Sequence, residues 1–252
     1  MSSDSVLRAT LERAGAVFHA STGNASRADE EIRELLPDVH RRLVAGTSGI
    51  SVYHGAFRLF GESSSAESTG LGDWNEVENW RFAWADRLDG FVLFGESAWG
   101  DQYAYRQEGD ELEPDVYFLE AISLEAEPIA ATFDQFVAEE FLPNAWEPYD
   151  VMTVAAVNRL GPIRFDQHWT YAPSLALGGA EDLANVVVLP AATAMRIAGD
   201  IAVGLRDDRN PSSLVPWVDA RGRQRLRLEH DDERERLPDA SPRVAPDDQA
   251  AG

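Results

Sequence analysis

The sequence predicts an α+β protein, and three observations carry that prediction. Helical patterns crowd the first 46 residues, strand patterns fill the middle, and a further helix closes the series at Phe141. Segregation of this kind favours helices packed against a largely antiparallel sheet. At the centre, Phe91–Tyr105 (FVLFGESAWGDQYAY) reads as a strand, a Gly-bounded turn and a second strand. With 252 residues and 44% hydrophobic content, the chain is long enough to enclose a sizeable core.

The elements follow in order. Ser3–Arg13 carries Leu7 and Leu11 four apart, which predicts a first helix ended by Gly15. Ala16–Asn24 reads as a loop. A second helix begins near Ser26–Asp29 and carries Ile32, Leu35 and Leu36 until Pro37 interrupts it. Proline fits a first helical turn, so Pro37-Asp38 opens a short third helix. Its Val39, Leu43 and Val44 point inward, and Gly46 ends it. Ser51–Tyr53 and Phe57–Phe60 read as short strands turned at Gly55; Glu62–Gly72, rich in Ser and Gly, reads as a mobile loop. Asp73 with Glu76 three residues on is a capping pattern. It predicts a helix with Trp74, Val77, Arg81 and Trp84 in one stripe and Trp80 beside it. Within the central hairpin Gly95 and Gly100 supply backbone freedom, and Asp101 can bond amides of its own turn. After a charged turn at Glu108–Glu113, Val116–Leu119 is the next strand. Thr132 caps the closing helix with Gln135 in the box position; Phe133, Phe136, Val137 and Phe141 face inward, and Pro143 marks the end.

Residues 143–206 read as a smaller C-terminal lobe punctuated by Pro148 and Pro162. Val186–Leu189 is a buried-strand candidate, and Ala191–Leu205 an amphipathic helix with Met195, Ala198, Ala202 and Leu205 on one side. Gly199 inside that helix costs on the order of 1 kcal/mol relative to Ala, which points to a close packing contact. From Asp207 onward Pro, Asp and Arg dominate, so 207–252 reads as a disordered charged tail. The predicted division is therefore 1–142, 143–206 and 207–252.

Charge is the strongest compositional signal. The formal net charge is −22, and all 22 basic residues are Arg. Residues 1–205 hold 13 Arg against 33 acids, a net −20. Such a surface repels nucleic acid and anionic lipid and steers basic partners toward itself. There is no Cys, hence no disulfide or thiolate chemistry. The five His residues show no i,i+3 or i,i+4 pair, so no metal site is signalled, and no cofactor motif is present. His168 beside Trp169 reads as structural. The start, MSSDSVLRATLER, lacks the basic and apolar parts of a signal peptide, and no apolar run is long enough to cross a bilayer. The expected location is the cytoplasm.

The order of these pieces resembles the SMI1/KNR4 (SUKH) family. Leu36-Pro37-Asp38, Gly49, the Phe57–Gly61 strand ending in LFG, the helix Trp74–Trp84, the FVLFGES turn, Gly100-Asp101-Gln102-Tyr103, Val116–Leu119 and the helix Phe133–Phe141 follow that family's sequence of motifs over residues 3–142. The resemblance implies a curved mixed sheet wrapped by helices, and a protein-binding role without catalysis. Bacterial members are typically immunity proteins that bind and block a partner toxin; the fungal founder is a regulator of cell-wall synthesis. Trp99, Gly100 and Asp101 match the family's turn, with Glu96 before it and Trp80 and Tyr103 nearby. These six residues are expected to line a groove for a partner segment. A competing expectation gives Gly100 and Asp101 only the holding of the turn. The expected function is non-enzymatic neutralisation of a basic toxin, with no cofactor or metal. The alternative is a regulatory scaffold that recruits partners through its tail, and a third class is a hydrolase using Glu96 and Asp101.

Overall fold

A computed structural model of the chain describes residues 3–65, 68–206 and 213–229. Its centre is a seven-stranded sheet in the order β1-β2-β3-β4-β5-β6-β7, every neighbour antiparallel and consecutive in sequence. The strands are β1 (Val17–Ala20), β2 (Thr47–Val52), β3 (Phe57–Phe60), β4 (Phe91–Ser97), β5 (Gln102–Glu108), β6 (Glu111–Leu119) and β7 (Ala126–Ala130). The α+β class is therefore as the sequence predicts. The sheet itself is not mixed: the one parallel pairing among the described residues is an isolated bridge from Gly61 to Gly70.

Local signals place the early helices. α1 (Ser3–Arg13), α2 (Arg27–Leu35) and α3 (Asp38–Val44) lie where the periodicity puts them. Ser26 and Asp29 form a reciprocal capping box at the start of α2, and Pro37 sits at the start of α3. Val17–Ala20, read as loop, is a strand because it finds the edge of β2. Of the loop read at Glu62–Gly72, residues 66–67 lie outside the described residues. Its flank is pinned, since the Gly72 amide donates to Asp29 Oδ1 at 2.6 Å.

The continuous helix expected over Trp74–Trp84 does not form. A short helix α4 (Leu71–Asn75) stops, and a single 3-10 turn follows at Arg81–Trp84. The reason lies in the tryptophans and in Asn75. Trp74 Nε1 donates to Gln102 Oε1 at 2.8 Å, Trp80 Nε1 to the Trp74 carbonyl at 3.0 Å, and Trp84 Nε1 to the Met195 carbonyl at 2.9 Å. All three rings are fully buried, and a buried indole N–H needs its partner. Trp80 thus bonds back to its own segment, while Trp74 and Trp84 reach residues 28 and 111 positions away. Asn75 meanwhile turns its side chain onto β4, accepting from the Leu93 amide and donating to the Leu93 carbonyl. Val77, expected on the inward stripe, is exposed.

The closing helix keeps its predicted cap: Thr132 Oγ1 accepts from the Gln135 amide, and Phe133, Phe136, Val137 and Phe141 are all buried. It does not end at Pro143. α5 (Phe133–Phe136) passes through a π turn at Val137–Phe141 into α6 (Leu142–Trp146), where Pro143 occupies the first turn. The widened π turn changes the hydrogen-bond register just ahead of a residue that has no N–H to donate.

The C-terminal lobe contains α7 (Val151–Leu160), β8 (Gln167–Tyr171), β9 (Val186–Pro190) and α8 (Ala191–Gly204), with β8 and β9 paired antiparallel. Val186–Leu189 is a strand but not a buried one, because its two-stranded sheet leaves Val187 and Val188 exposed. Gly199 does mark a close contact: a Cβ there would sit 2.8 Å from the Trp84 ring. The lobe has no separate core. Ile163, Phe165, Trp169, Met195 and Ala202 belong to the same apolar cluster as the sheet's Leu59, Phe94 and Tyr103.

The tail reading needs a correction over 213–229. There β10 (Ser213–Val218) and β11 (Gln224–Glu229) form a hairpin on α8. Leu228 packs against Gly204 and is buried. The Arg223 guanidinium lies 3.8 Å above the Phe82 ring, and Arg225 pairs with the buried Asp200. Charged residues here find partners on the folded body, so low apolar content does not leave them in solvent. Residues 207–212 and 230–252 of the predicted tail lie outside the described residues.

Candidate functional site

Of the six residues singled out by the sequence, Glu96, Trp99, Gly100 and Asp101 sit at the β4–β5 turn, whereas Tyr103 packs on Phe118 and Phe136 and Trp80 on Trp74. Trp80, Glu96, Gly100 and Tyr103 are buried, Trp99 is half-buried and Asp101 partly so. The groove expected over them is filled by the lobe: the Trp169 amide donates to the Ala98 carbonyl at 2.8 Å, and Trp99 stacks on Tyr171 with ring centroids 5.1 Å apart. Apolar surface on the hairpin is covered by apolar surface from residues 163–195, which sequence proximity could not reveal.

Glu96 is the hub of this closed region. On the neighbouring strand β3, Arg58 extends its guanidinium to Glu96 Oε1 at 3.0 Å, and both side chains are sealed from solvent, at 0% and 1% exposure. The same guanidinium donates to the carbonyls of Gly55 (2.9 Å), Phe165 (2.7 Å) and Gln167 (2.6 Å). His168 Nε2 lies 3.0 Å from Glu96 Oε2, out of hydrogen-bond alignment. Gln102 Nε2 donates to Glu96 Oε2 at 3.3 Å and to the Gly100 carbonyl at 2.9 Å. Burial pushes the Arg58 guanidinium below its ordinary value, against the pull of Glu96. A carboxylate, an imidazole and a guanidinium therefore meet here, each with 0–1% of its side chain exposed. The arrangement fastens two sheet strands to the segment 165–168.

Asp101 braces its turn. Its Oδ2 accepts from Ser97 Oγ at 2.7 Å and its Oδ1 from the Ala121 amide at 2.9 Å. Burial raises its carboxyl above the usual range, with these hydrogen bonds opposing the rise. Gly100 takes a φ of +99°, with Met195 and His168 packed beside it. Glu96 and Asp101, the pair considered for hydrolysis, thus serve different structural partners.

Two surface features were not singled out by the sequence reading. Across the junction of α6 and α7, from the last residue of one to the first of the other, Trp146, Tyr149 and Val151 are 62%, 71% and 75% exposed. Their loop is held firmly. Asn144 accepts from the Tyr149 amide and donates to the Glu140 carbonyl. Asp150 caps α7, accepting from the Met152 and Thr153 amides at 2.9 Å and from Thr153 Oγ1 at 2.7 Å. Thr153 Oγ1 in turn accepts from Trp99 Nε1 at 2.8 Å, so the predicted turn buttresses this loop from beneath. The legible signal was two aromatics beside Pro148 and acids in a segment with no helical or strand period. Elsewhere, α8 and the β10–β11 hairpin enclose a concavity of about 360 Å³ lined by Arg196, Ile197, Trp217 and Leu226, with the Asp200 carboxylate already engaged by Arg225 and the Leu226 amide. Among the described residues no cluster of three His, Asp or Glu side chains is placed to hold a metal, and no helix is long and apolar enough to cross a membrane.

Neither a family model nor a curated protein matches the chain. Its fold is similar to the crystal structure of Atu4351 from Agrobacterium tumefaciens, with a TM-score of 0.50 and 14% identity over 91% of this chain and 100% of that one. At that identity the likeness concerns architecture alone. It extends through the lobe, in keeping with the shared core.

Proposed function

We propose that the chain is a non-catalytic protein-binding module: an immunity protein of the SMI1/KNR4 (SUKH) type that binds and neutralises a basic toxin in the cytoplasm. The observation that carries this reading is the charge of −20 over residues 1–205, on a body whose buried acid–base hub is closed to solvent. A field of that sign speeds encounter with a cationic protein and disfavours nucleic acid and anionic membranes. The family part of this reading rests on the order of sequence motifs over residues 3–142.

The test is a pull-down from the native cells with the full chain as bait. Raising salt from about 0.01 M to about 1 M shortens the Debye length from about 30 Å to about 3 Å. One basic protein, retained stoichiometrically at low salt and released as salt rises, is the expected result. Its toxicity should be suppressed on co-expression with this chain. Several neutral housekeeping proteins would replace this reading with a regulatory scaffold, and no retained protein at either salt would overturn it.

A further inference from the structure

Some exposed apolar side chains on this protein stand singly, as Val6, Val17, Val77 and Ile122 do, which is ordinary; others, Val187 with Val188 and Leu214 with Trp217 and Val218, lie along the short hairpin strands β9 and β10. The segment 146–151 differs in three ways. It presents a tryptophan, a tyrosine and a valine within six residues; Val151 and Tyr149 are the two most exposed of the large apolar side chains, and Trp146 equals Val218 at 62%. Its backbone is fixed at one end by the Glu147 amide, which donates to the Pro143 carbonyl, and at the other by Asp150, which caps α7. Exposed acids, Glu147 and Asp150, alternate with the apolar residues.

We propose that segment 146–151 is the docking surface for a basic protein partner, with Trp146 and Tyr149 entering apolar sockets and Glu147 and Asp150 facing the partner's cations. The proposal rests on the protein-binding reading above and names its surface. Tryptophan and tyrosine dominate binding hot spots, because each buries a large area at little entropic cost. A loop already held in place loses little further freedom on binding. The charge around it selects the occupant. Tyr171, beneath the loop, has its hydroxyl pushed up to about 12 by burial, then by Glu181 and Asp150, so two carboxylates bear on this side of the protein. A second copy of the chain would bring the same acids and the same net −22 against the patch. Anionic lipid and nucleic acid meet the same repulsion.

The probe is the basic protein retained by the full chain in the salt-resolved pull-down, purified and titrated by calorimetry and surface kinetics. Trp146→Ala and Tyr149→Ala in the full chain should each weaken binding by about 30-fold or more, the equivalent of a hot spot of about 2 kcal/mol. The loss should fall mainly on the dissociation rate. Glu147→Arg should slow association and flatten its salt dependence. Val77→Ala, at an exposed apolar site elsewhere, should leave affinity unchanged. Because the side chains project outward, both alanine variants should keep the wild-type circular dichroism. Should either fail to fold, p-benzoylphenylalanine at position 149 gives an independent readout: it should crosslink to the basic probe, whereas the same group at position 77 should not. Unchanged affinity in both alanine variants would overturn the docking surface and leave the protein-binding reading standing. Absence of any basic partner would overturn both. Two other outcomes also refute the proposal. A wild-type dimer lost in Trp146→Ala would assign the patch to a second copy, and a crosslink from position 149 to residues 230–252 would assign it to the chain's own end.

Discussion

Glu96→Ala is the sharpest probe of how this protein is held together. The substitution removes the counter-charge 3.0 Å from Arg58 Nη1 and leaves a guanidinium with no exposure to solvent. Arg58 keeps its three carbonyl partners, Gly55, Phe165 and Gln167, which solvate the cation only in part. Removing one member of a buried pair costs about 3–5 kcal/mol. Gln102 loses its bond to Glu96 but retains the Gly100 carbonyl, so its contribution is small. A domain has about 5–15 kcal/mol of stability in all, and at this size each kcal/mol moves Tm by about 2–4 °C. The expected fall is therefore about 6–20 °C, with a matching drop in the urea midpoint followed by tryptophan fluorescence. A double-mutant cycle with Arg58→Met should return a coupling of about 1–3 kcal/mol. A loss under about 1 kcal/mol, the range of an exposed ion pair, would refute the reasoning: the hub would then be open to water.

Two further outcomes follow from buried and strained positions. His40 has no exposure, stacks on Phe133 at 4.0 Å and shares a 3.0 Å hydrogen bond with Tyr105 Oη; burial lowers its pKa from 6.5 to about 3. The unfolded chain takes up this proton below about pH 6.5 while the fold resists it, so stability is complete above that pH and falls toward pH 3 by up to about 1.4 kcal/mol per pH unit. His40→Gln should reduce proton uptake on unfolding at pH 5 by about one, read from urea midpoints across pH; an unchanged slope would show that the imidazole is not sealed. Gly55→Ala and Gly15→Ala form a second test. Both have positive φ, +89° and +83°, but a Cβ on Gly55 would lie 2.1 Å from the Ile163 carbonyl oxygen, while Gly15 faces open space. The Gly55 variant should lose about 1–3 kcal/mol more than the Gly15 variant in chemical denaturation, the cost of forced repacking. Equal losses would show that the lobe does not press on this turn.

What was legible in the sequence had its cause nearby in the chain. Thr132 and Gln135 are three residues apart and satisfy backbone groups of their own helix turn. Ser26 and Asp29 do the same, and Pro37 could only begin a helix. Strands β4 and β5 are joined by a turn whose glycine and aspartate announce it. Because the whole sheet is a meander of sequential neighbours, local reading reached the fold class. Even Gly199 was informative, since a helix tolerates glycine poorly unless something sits close.

The candidate site was legible only as a place, not as a surface. Glu96, Trp99 and Gly100 stand at one turn because they are neighbours in the chain. Their burial depends on segments far away in sequence: Glu96 on His168, Trp99 on Trp169 and Tyr171, and Gly100 on Met195. The helix expected at Trp74–Trp84 failed for the same reason, since its indoles take partners that no helical period encodes. The sequence by itself determined the class of fold, the local caps and turns, and the sign of the field. The tertiary structure alone decided which aromatics face water: burial is a property of pairs of distant surfaces, and the lobe that covers Trp99 leaves Trp146 and Tyr149 exposed.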